Sequence, residues 1–221
     1  MPNPFRLAVL ISGSGRTLKN FLDLAAEGRL PIDVPLVVSS SAKAGGLEFA
    51  RAARIPTAIF DRRRYDSDQA YGDAIFAACR NAGVDLVAMA GFLKLAPVPD
   101  DFIGRVVNIH PALIPAFCGP GMYGHRVHQA VLDCGAKVTG VTIHFVNNEY
   151  DQGPIIWQQP VPVFDDDTAD TLAARVFEIE KEAYPHVLRL LAAGHVSVEG
   201  RRVSIARSGR AASSPPSDYL N

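Results

Sequence analysis

Four short, predominantly apolar runs constrain this chain more than any other feature: Leu7–Ile11 (LAVLI), Val34–Ser39 (VPLVVS), Val84–Ala90 (VDLVAMA) and Val106–Ile109 (VVNI). Runs of this length, rich in Val, Ile and Leu, mark parallel strands buried on both faces. Between them lie stretches with apolar residues at helical spacing. These are Leu18–Leu30 (Leu18, Phe21, Leu22, Ala25), Gly45–Ala53, and Asp66–Ala82 (Tyr71, Ile75, Cys79). A short strand is expected over Thr57–Phe60. Strands and helices alternating in this way predict βαβ units and a doubly wound, Rossmann-like, mostly parallel central sheet.

Beyond Ile109 the pattern changes. Pro111–Gly124 (PALIPAFCGPGMYG) is a Gly/Pro-rich loop of a length that usually serves function. A short helix is predicted over His125–Cys134. The strand Lys137–Val146 puts Thr139, Val141, Ile143 and Phe145 on one face and Thr142 and His144 on the other. The prolines of Pro154–Val163 suit an edge strand. Thr168–Ala192 is the longest helix, capped by Thr168 or Asp170 and stopped by Gly194, and Val196–Ile205 reads as a small hairpin. The carboxyl-terminal part of the sheet is therefore expected to be mixed. Residues 206–221 are Ser/Pro/Ala-rich and predicted disordered.

Composition excludes several function classes. With 221 residues and a formal net charge of −1, the chain has no basic field for nucleic acid and no polybasic run for a membrane surface. No run approaches the roughly 18 apolar residues of a membrane span. Cys79, Cys118 and Cys134 form no CxxC pair and point to free thiols in a reducing cytoplasm. Cys118, in the Gly/Pro-rich loop, reads as an inert loop cysteine or a reactive one.

Chemistry is concentrated at strand ends. Asn108 and His110 stand two residues apart on a strand, so both face one side, and Pro111 ends the strand there. They read as a polar pair at the carboxyl edge, where open α/β sheets place active sites, or as a core histidine beside a turn asparagine. Asp151, in the loop after the neighbouring strand, is a turn residue or a carboxylate that reaches His110 and favours its imidazolium. An amide, an imidazole and a carboxylate without a central Ser or Cys suit oxyanion stabilisation and proton movement, hence acyl transfer to a nucleophile carried by the substrate.

The turn Ser12–Thr17 (SGSGRT) joins the first strand to the first helix and offers unsatisfied N–H groups to an anion. It fails the dinucleotide fingerprint: Leu18 stands where a third glycine is needed, and Ser39–Ser41 where an acidic residue is needed. A single phosphate on Gly13–Thr17, or a tight turn without ligand, remains. His125 and His128 are spaced like metal ligands on one helical turn, but no further donor cluster lies nearby, so no metal is expected. Arg62–Arg64 reads as a solvated helix entry or as a contact for an acidic ligand tail.

The set LISGSGRTLKNFLD, AGFLKLAP, VVNIHPALIPAF, GMYGHRVHQAVL and VTGVTIHFVNNEYDQGPIIWQQPVPV, followed by the final long helix, resembles the folate-dependent phosphoribosylglycinamide formyltransferases over roughly Arg6–Ser197. The resemblance implies a formyltransferase fold in one domain, 1–205. Its amino-terminal half, about 1–104, would bind phosphate, and its carboxyl-terminal half, about 105–205, would bind folate and carry the chemistry. It implies that Asn108 and His110 bind the formyl oxygen and that Asp151 pairs with His110, with Thr142 and His144 lining the site. Gly13, Ser14, Gly15, Arg16 and Thr17 would hold the phosphate of glycinamide ribonucleotide, and Glu180 its ribose or amine end. Phe92, Leu93, Lys94, Leu95 and the loop from Asn147 to Asp151 would enclose the pteridine of 10-formyltetrahydrofolate, the co-substrate. A cis bond is implied at Ile114–Pro115. Small molecules are the expected partners, with no nucleic acid, membrane or metal, for a monomer or homodimer.

The chain departs from the family at Asp68, where some members are basic, which leaves Arg62–Arg64 as the substitute for contacting the folate tail. Ala96–Asp101 and Cys118–Gly124 also depart, so family contacts are not carried over there. Two alternatives stay open: a 10-formyltetrahydrofolate hydrolase, or formyl transfer to another amine, on the same site, and a non-catalytic phosphate- or nucleotide-binding module. Deformylases of this type carry an extra amino-terminal domain and methionyl-tRNA formyltransferases an extra carboxyl-terminal barrel. A chain whose first strand starts by Leu7 and whose last helix ends near Ala193 is expected to have neither.

Overall fold

A computed structural model describes residues 4–206. Its elements run β1 (Phe5–Ile11), α1 (Arg16–Ala26), β2 (Ile32–Ser39), α2 (Gly46–Ala52), β3 (Thr57–Ile59), α3 (Asp68–Asn81), β4 (Leu86–Met89) and β5 (Val106–His110). There follow α4 (His125–Asp133), β6 (Val138–Phe145), β7 (Ile155–Pro162), α5 (Ala169–Ala192) and a hairpin of β8 (Val196–Glu199) and β9 (Arg202–Ile205). Seven strands form one sheet in the order β3-β2-β1-β4-β5-β6-β7. The first five run parallel, whereas β6 and β7 are antiparallel to their neighbours. The expected mostly parallel α/β sheet with a mixed carboxyl-terminal part is what forms.

The apolar runs are explained by what covers them. Leu7, Val9 and Ile11 share one buried apolar cluster with Leu18 and Phe21 of α1 and Leu172, Val176 and Val187 of α5. Ala8 and Leu10, pointing the other way, pack on Tyr71, Ile75, Phe76 and Cys79 of α3. With both faces covered, each buried Val, Leu or Ile contributes roughly 1.5–3 kcal/mol. The long helix α5 contains Pro185, which has no N–H to give to the Lys181 carbonyl four residues back. The Asn20 amide fills that vacancy from α1 at 2.9 Å, tying the two helices that flank the site.

Some boundaries differ from expectation for local reasons. The helical pattern of α1 runs to Leu30, but the helix stops at Ala26 because Gly28 turns into the left-handed region (φ +69°). Ser67 accepts from the Ala70 N–H at 3.0 Å and so starts α3 two residues late. Of the two cap candidates for α5, Thr168 is the cap, accepting from the Thr171 N–H. The expected tail beyond Ala206 lies outside the described residues.

Candidate active site

Strand order reverses at β1, with β2 on one side and β4 on the other, so the loops leaving β1 and β4 part above the sheet. Their ends are stitched together at this edge. The Ser12 N–H donates to the Gly91 carbonyl (3.1 Å), and Ser12 Oγ accepts from the Leu93 N–H (2.9 Å) and from Ser40 Oγ (2.7 Å). Above this edge opens a cavity of about 450 Å³.

At one end of the cavity stands the first turn of α1. Gly15 is its cap at φ +73°, and a Cβ there would lie 2.3 Å from Gly46 Cα, so only glycine permits the turn to pack on α2. No side chain caps this turn and no acidic residue lies in it, so its N–H groups and positive dipole end face the cavity. The Arg16 guanidinium lies 4.2 Å from the centre of the Phe177 ring, held by a cation–π contact.

At the other end β5 and β6 pair so that Asn108 faces His144 and His110 faces Thr142. Asp151 is brought over them by the loop after β6. A Cβ on Gly153 would lie 1.7 Å from the Phe145 carbonyl oxygen, and the Asn148 amide fastens the loop to the Val98 N–H (2.7 Å). Asp151 Oδ2 accepts from the Gly119 N–H at 2.8 Å, and its backbone takes φ +55°, a strained angle for a non-glycine residue. Its two oxygens then lie 3.7 Å from His110 Nδ1 and 3.7 Å from His144 Nε2.

The hydrogen bonds fix the tautomers. A carbonyl only accepts, so His110 Nε2–H donates to the Phe117 carbonyl (2.8 Å) and leaves Nδ1 bare toward Asp151 when the ring is neutral. His144 Nδ1–H donates likewise to the Phe145 carbonyl (2.8 Å), so its Nε2 accepts from Asn108 Nδ2 at 3.3 Å. That bond orients the Asn108 amide and leaves it a second N–H.

Burial lowers the His110 pKa and prevails over the Asp151 carboxylate, which pulls it up. Asp151 thus favours the imidazolium, as expected, but burial opposes it more strongly and favours the neutral ring at rest. Burial pushes Asp151 up, but the interaction with His144 when that ring is protonated, the Gly119 N–H and the charge of a protonated His110 outweigh it, so its pKa lies below the ordinary carboxylate value. Burial lifts Glu180, which also lines the cavity, to about 7 against the pull of Arg16.

The chain has relatives among known proteins. The chain matches the formyl transferase family over residues 5–188. It belongs to that family. It is 43% identical over 190 residues to a chloroplastic phosphoribosylglycinamide formyltransferase of Arabidopsis thaliana, covering 85% of this chain and 65% of the relative. It spans only 19% of a relative from Gallus gallus, the trifunctional purine biosynthetic protein adenosine-3. Against the phosphoribosylglycinamide formyltransferase of Haemophilus influenzae the match is 35% identical over 98% of this chain and 99% of the relative. A solved structure of glycinamide ribonucleotide transformylase 1 from Symbiobacterium toebii superposes with a TM-score of 0.87 at 41% identity, covering 94% of this chain and 96% of that one.

Within this family's fold, the residues singled out from sequence fall as follows. Gly13–Thr17, Phe92–Leu95, Asn108, His110, His144, Asn147, Asp151 and Glu180 all line the one cavity. Thr142 does not. It is fully buried behind the site, where its hydroxyl donates to the Ala112 carbonyl (2.7 Å) and accepts from the Ile114 N–H (3.1 Å) and Gln158 Nε2 (3.0 Å). It thus holds the bend after His110, in which Ile114–Pro115 is cis. Of the three arginines at 62–64, Arg62 is paired with Asp68 and Arg63 with Asp61, so two are already engaged within their own segment. His125 pairs with Asp170 at 2.8 Å.

Two contributors escaped the sequence reading. Gln158 braces the bend through Ile114 and Thr142, and Tyr184 donates from α5 to the Met89 and Val107 carbonyls (3.2 and 3.0 Å), pinning β5 one residue before Asn108. Tyr184 lies at helical spacing from Val176 and Val187, so its inward face was readable there, but its partners were not.

Proposed function

We propose that this chain transfers the formyl group of 10-formyltetrahydrofolate to the amine of glycinamide ribonucleotide, in purine biosynthesis in the cytoplasm. The observation that carries the reading is Asp151, lodged between His110 and His144 beside Asn108, in the cavity whose far end is the uncapped turn of α1. Phosphate on Gly13–Thr17 and the formyl donor against Phe92–Leu95 and Asn147 would bring the amine to that cluster. Glu180 would face the ribose or amine end. The phosphate turn would lie in the amino-terminal half and the catalytic cluster in the carboxyl-terminal half, with Phe92–Leu95 and Glu180 carrying the folate and ribonucleotide contacts across that division.

The substrate's own amine is the nucleophile. Among the described residues no Ser or Cys is hydrogen-bonded to His110 or His144. The nearby Cys118 thiol donates to the Pro115 carbonyl, and burial together with Asp151 raises its pKa, which keeps it protonated and unreactive. The neutral amine bonds to the formyl carbon, and the carbonyl electron pair moves to oxygen, where Asn108 and His110 stabilise it. The new charge adds to the pull of Asp151 on His110, whose Nδ1 takes up a proton from solvent water as the oxyanion forms and releases it as the carbonyl is restored. The ionised Asp151 accepts the ammonium proton through water. It returns that proton to the folate nitrogen as the old carbon–nitrogen bond breaks.

The test is incubation with 10-formyltetrahydrofolate, with and without glycinamide ribonucleotide, following loss of the formyl group. Loss only with the ribonucleotide, yielding its formylated product, is expected. Loss without it would make the chain a hydrolase, and no loss in either case would leave a binding module.

A further inference from the structure

His128 projects from α4 into the same cavity and has no role in the chemistry above. The residue is 5% exposed, and among the described residues Nδ1 is fully buried without a partner and Nε2 makes no hydrogen bond. A proton on Nδ1 would strand a donor in apolar surroundings, at a cost of about 1–3 kcal/mol. The proton therefore sits on Nε2, the nitrogen left to the cavity. A second proton would have to sit on the buried Nδ1. Burial, His125 on the same helix, His110 on β5 and Arg16 on α1 all oppose it and hold the pKa down to about 4. His128 is a neutral donor across the working pH range.

What it faces is rich in donors. The uncapped first turn of α1 offers N–H groups, Arg16 offers a guanidinium, and the acids of α5 that line the cavity are Asp170, paired with His125, and Glu180, lifted to about 7. An acceptor with several oxygens and negative charge fits such a set, and a phosphate monoester has three terminal oxygens to share among donors. We infer that His128 binds the substrate phosphate, donating Nε2–H to one of its oxygens as a partner to the first turn of α1. The inference rests on the proposed ribonucleotide reading and adds to it a ligand from a separate helix.

The experiment compares wild type, His128→Leu, His128→Gln and His128→Asn with glycinamide ribonucleotide and with its dephosphorylated riboside. For the ribonucleotide, His128→Leu should raise KM roughly 10- to 100-fold, the range for a hydrogen bond to a charged group, with the loss falling on KM rather than kcat. Gln places an amide N–H where Nε2 stood and should recover most of the affinity, whereas Asn reaches only the Nδ1 position and should not. The riboside should bind wild type and His128→Leu alike. An unchanged KM, or equal losses on ribonucleotide and riboside, overturns the inference, as does equal behaviour of Gln and Asn should the Leu variant fail to fold. A nitrogen-detected NMR titration with inorganic phosphate provides a test independent of turnover. The Nε2–H signal of His128 should shift in wild type, and no shift overturns the inference. Wild type that binds phosphate through His128 but transfers no formyl group would instead overturn the functional reading alone.

Discussion

Replacing Thr142 by Val removes a hydroxyl and little volume, so it isolates the hydrogen bonds behind the site. In the fold Thr142 Oγ1 donates to the Ala112 carbonyl and accepts from the Ile114 N–H and Gln158 Nε2, all at 2.7–3.1 Å. In the valine variant Gln158 keeps the Ile114 carbonyl as its partner at 2.9 Å, but the buried Ile114 N–H and the Ala112 carbonyl each lose the partner that Thr142 supplied. An unsatisfied buried group costs about 1–3 kcal/mol and a lost net hydrogen bond about 1 kcal/mol, which together suggest about 2–4 kcal/mol. For a domain of this size that is a fall in Tm of about 5–15 °C, read by thermal unfolding. Turnover should fall as well, because the loosened bend carries the Phe117 carbonyl that holds His110. Thr142→Ser, which keeps the oxygen, should recover most of both. A Val variant within 1–2 °C of wild type would refute the reasoning. One as stable as wild type but inactive would place Thr142 in the chemistry instead.

Three further outcomes follow from the same geometry. Asp151→Asn should lower kcat roughly 100- to 10,000-fold with little change in KM in steady-state assays, because its amide cannot take the ammonium proton. Glu180 has a folded pKa near 7 against an ordinary value of 4.5, so its contribution to stability is fully present below about 4.5 and lost as pH rises through 7. Denaturant unfolding of Glu180→Gln should therefore match wild type at pH 4 and exceed it by about 1–3 kcal/mol at pH 8, while ribonucleotide affinity falls. Asn20→Ala should cost about 1–3 kcal/mol in the same unfolding measurement, by stranding the Lys181 carbonyl that Pro185 leaves without a helical donor.

The strands and the site edge were legible because period and chain punctuation act locally. LAVLI has to be covered on two faces, and Pro111 has to end the strand after His110. The alternation in β6 likewise revealed that Thr142 and His144 share a face. It did not reveal that one looks into the cavity and the other into a buried bend, since that depends on where Pro111–Phe117 returns. The balance at His110 meets a related limit: the sequence suggests its charge partner Asp151, which does pull the pKa up, whereas the burial that outweighs it is set by everything packed around the ring. His128 shows the same limit. Its spacing from His125 is that of metal ligands, a role not expected for want of further donors, but only the packing of α4 tells the two apart, giving His125 to Asp170 and leaving His128 to the cavity.

The central claim is an oxyanion site that acts on a nucleophile brought by the substrate, and single-turnover transfer by Asn108→Ala tests it most directly. With both substrates saturating, rapid quenching should show the rate of formyl transfer reduced on the order of 100- to 1,000-fold, as for other single oxyanion donors. No formyl group should be found on the protein at any time point. A near-normal rate in this variant, or a formylated enzyme, would contradict the account.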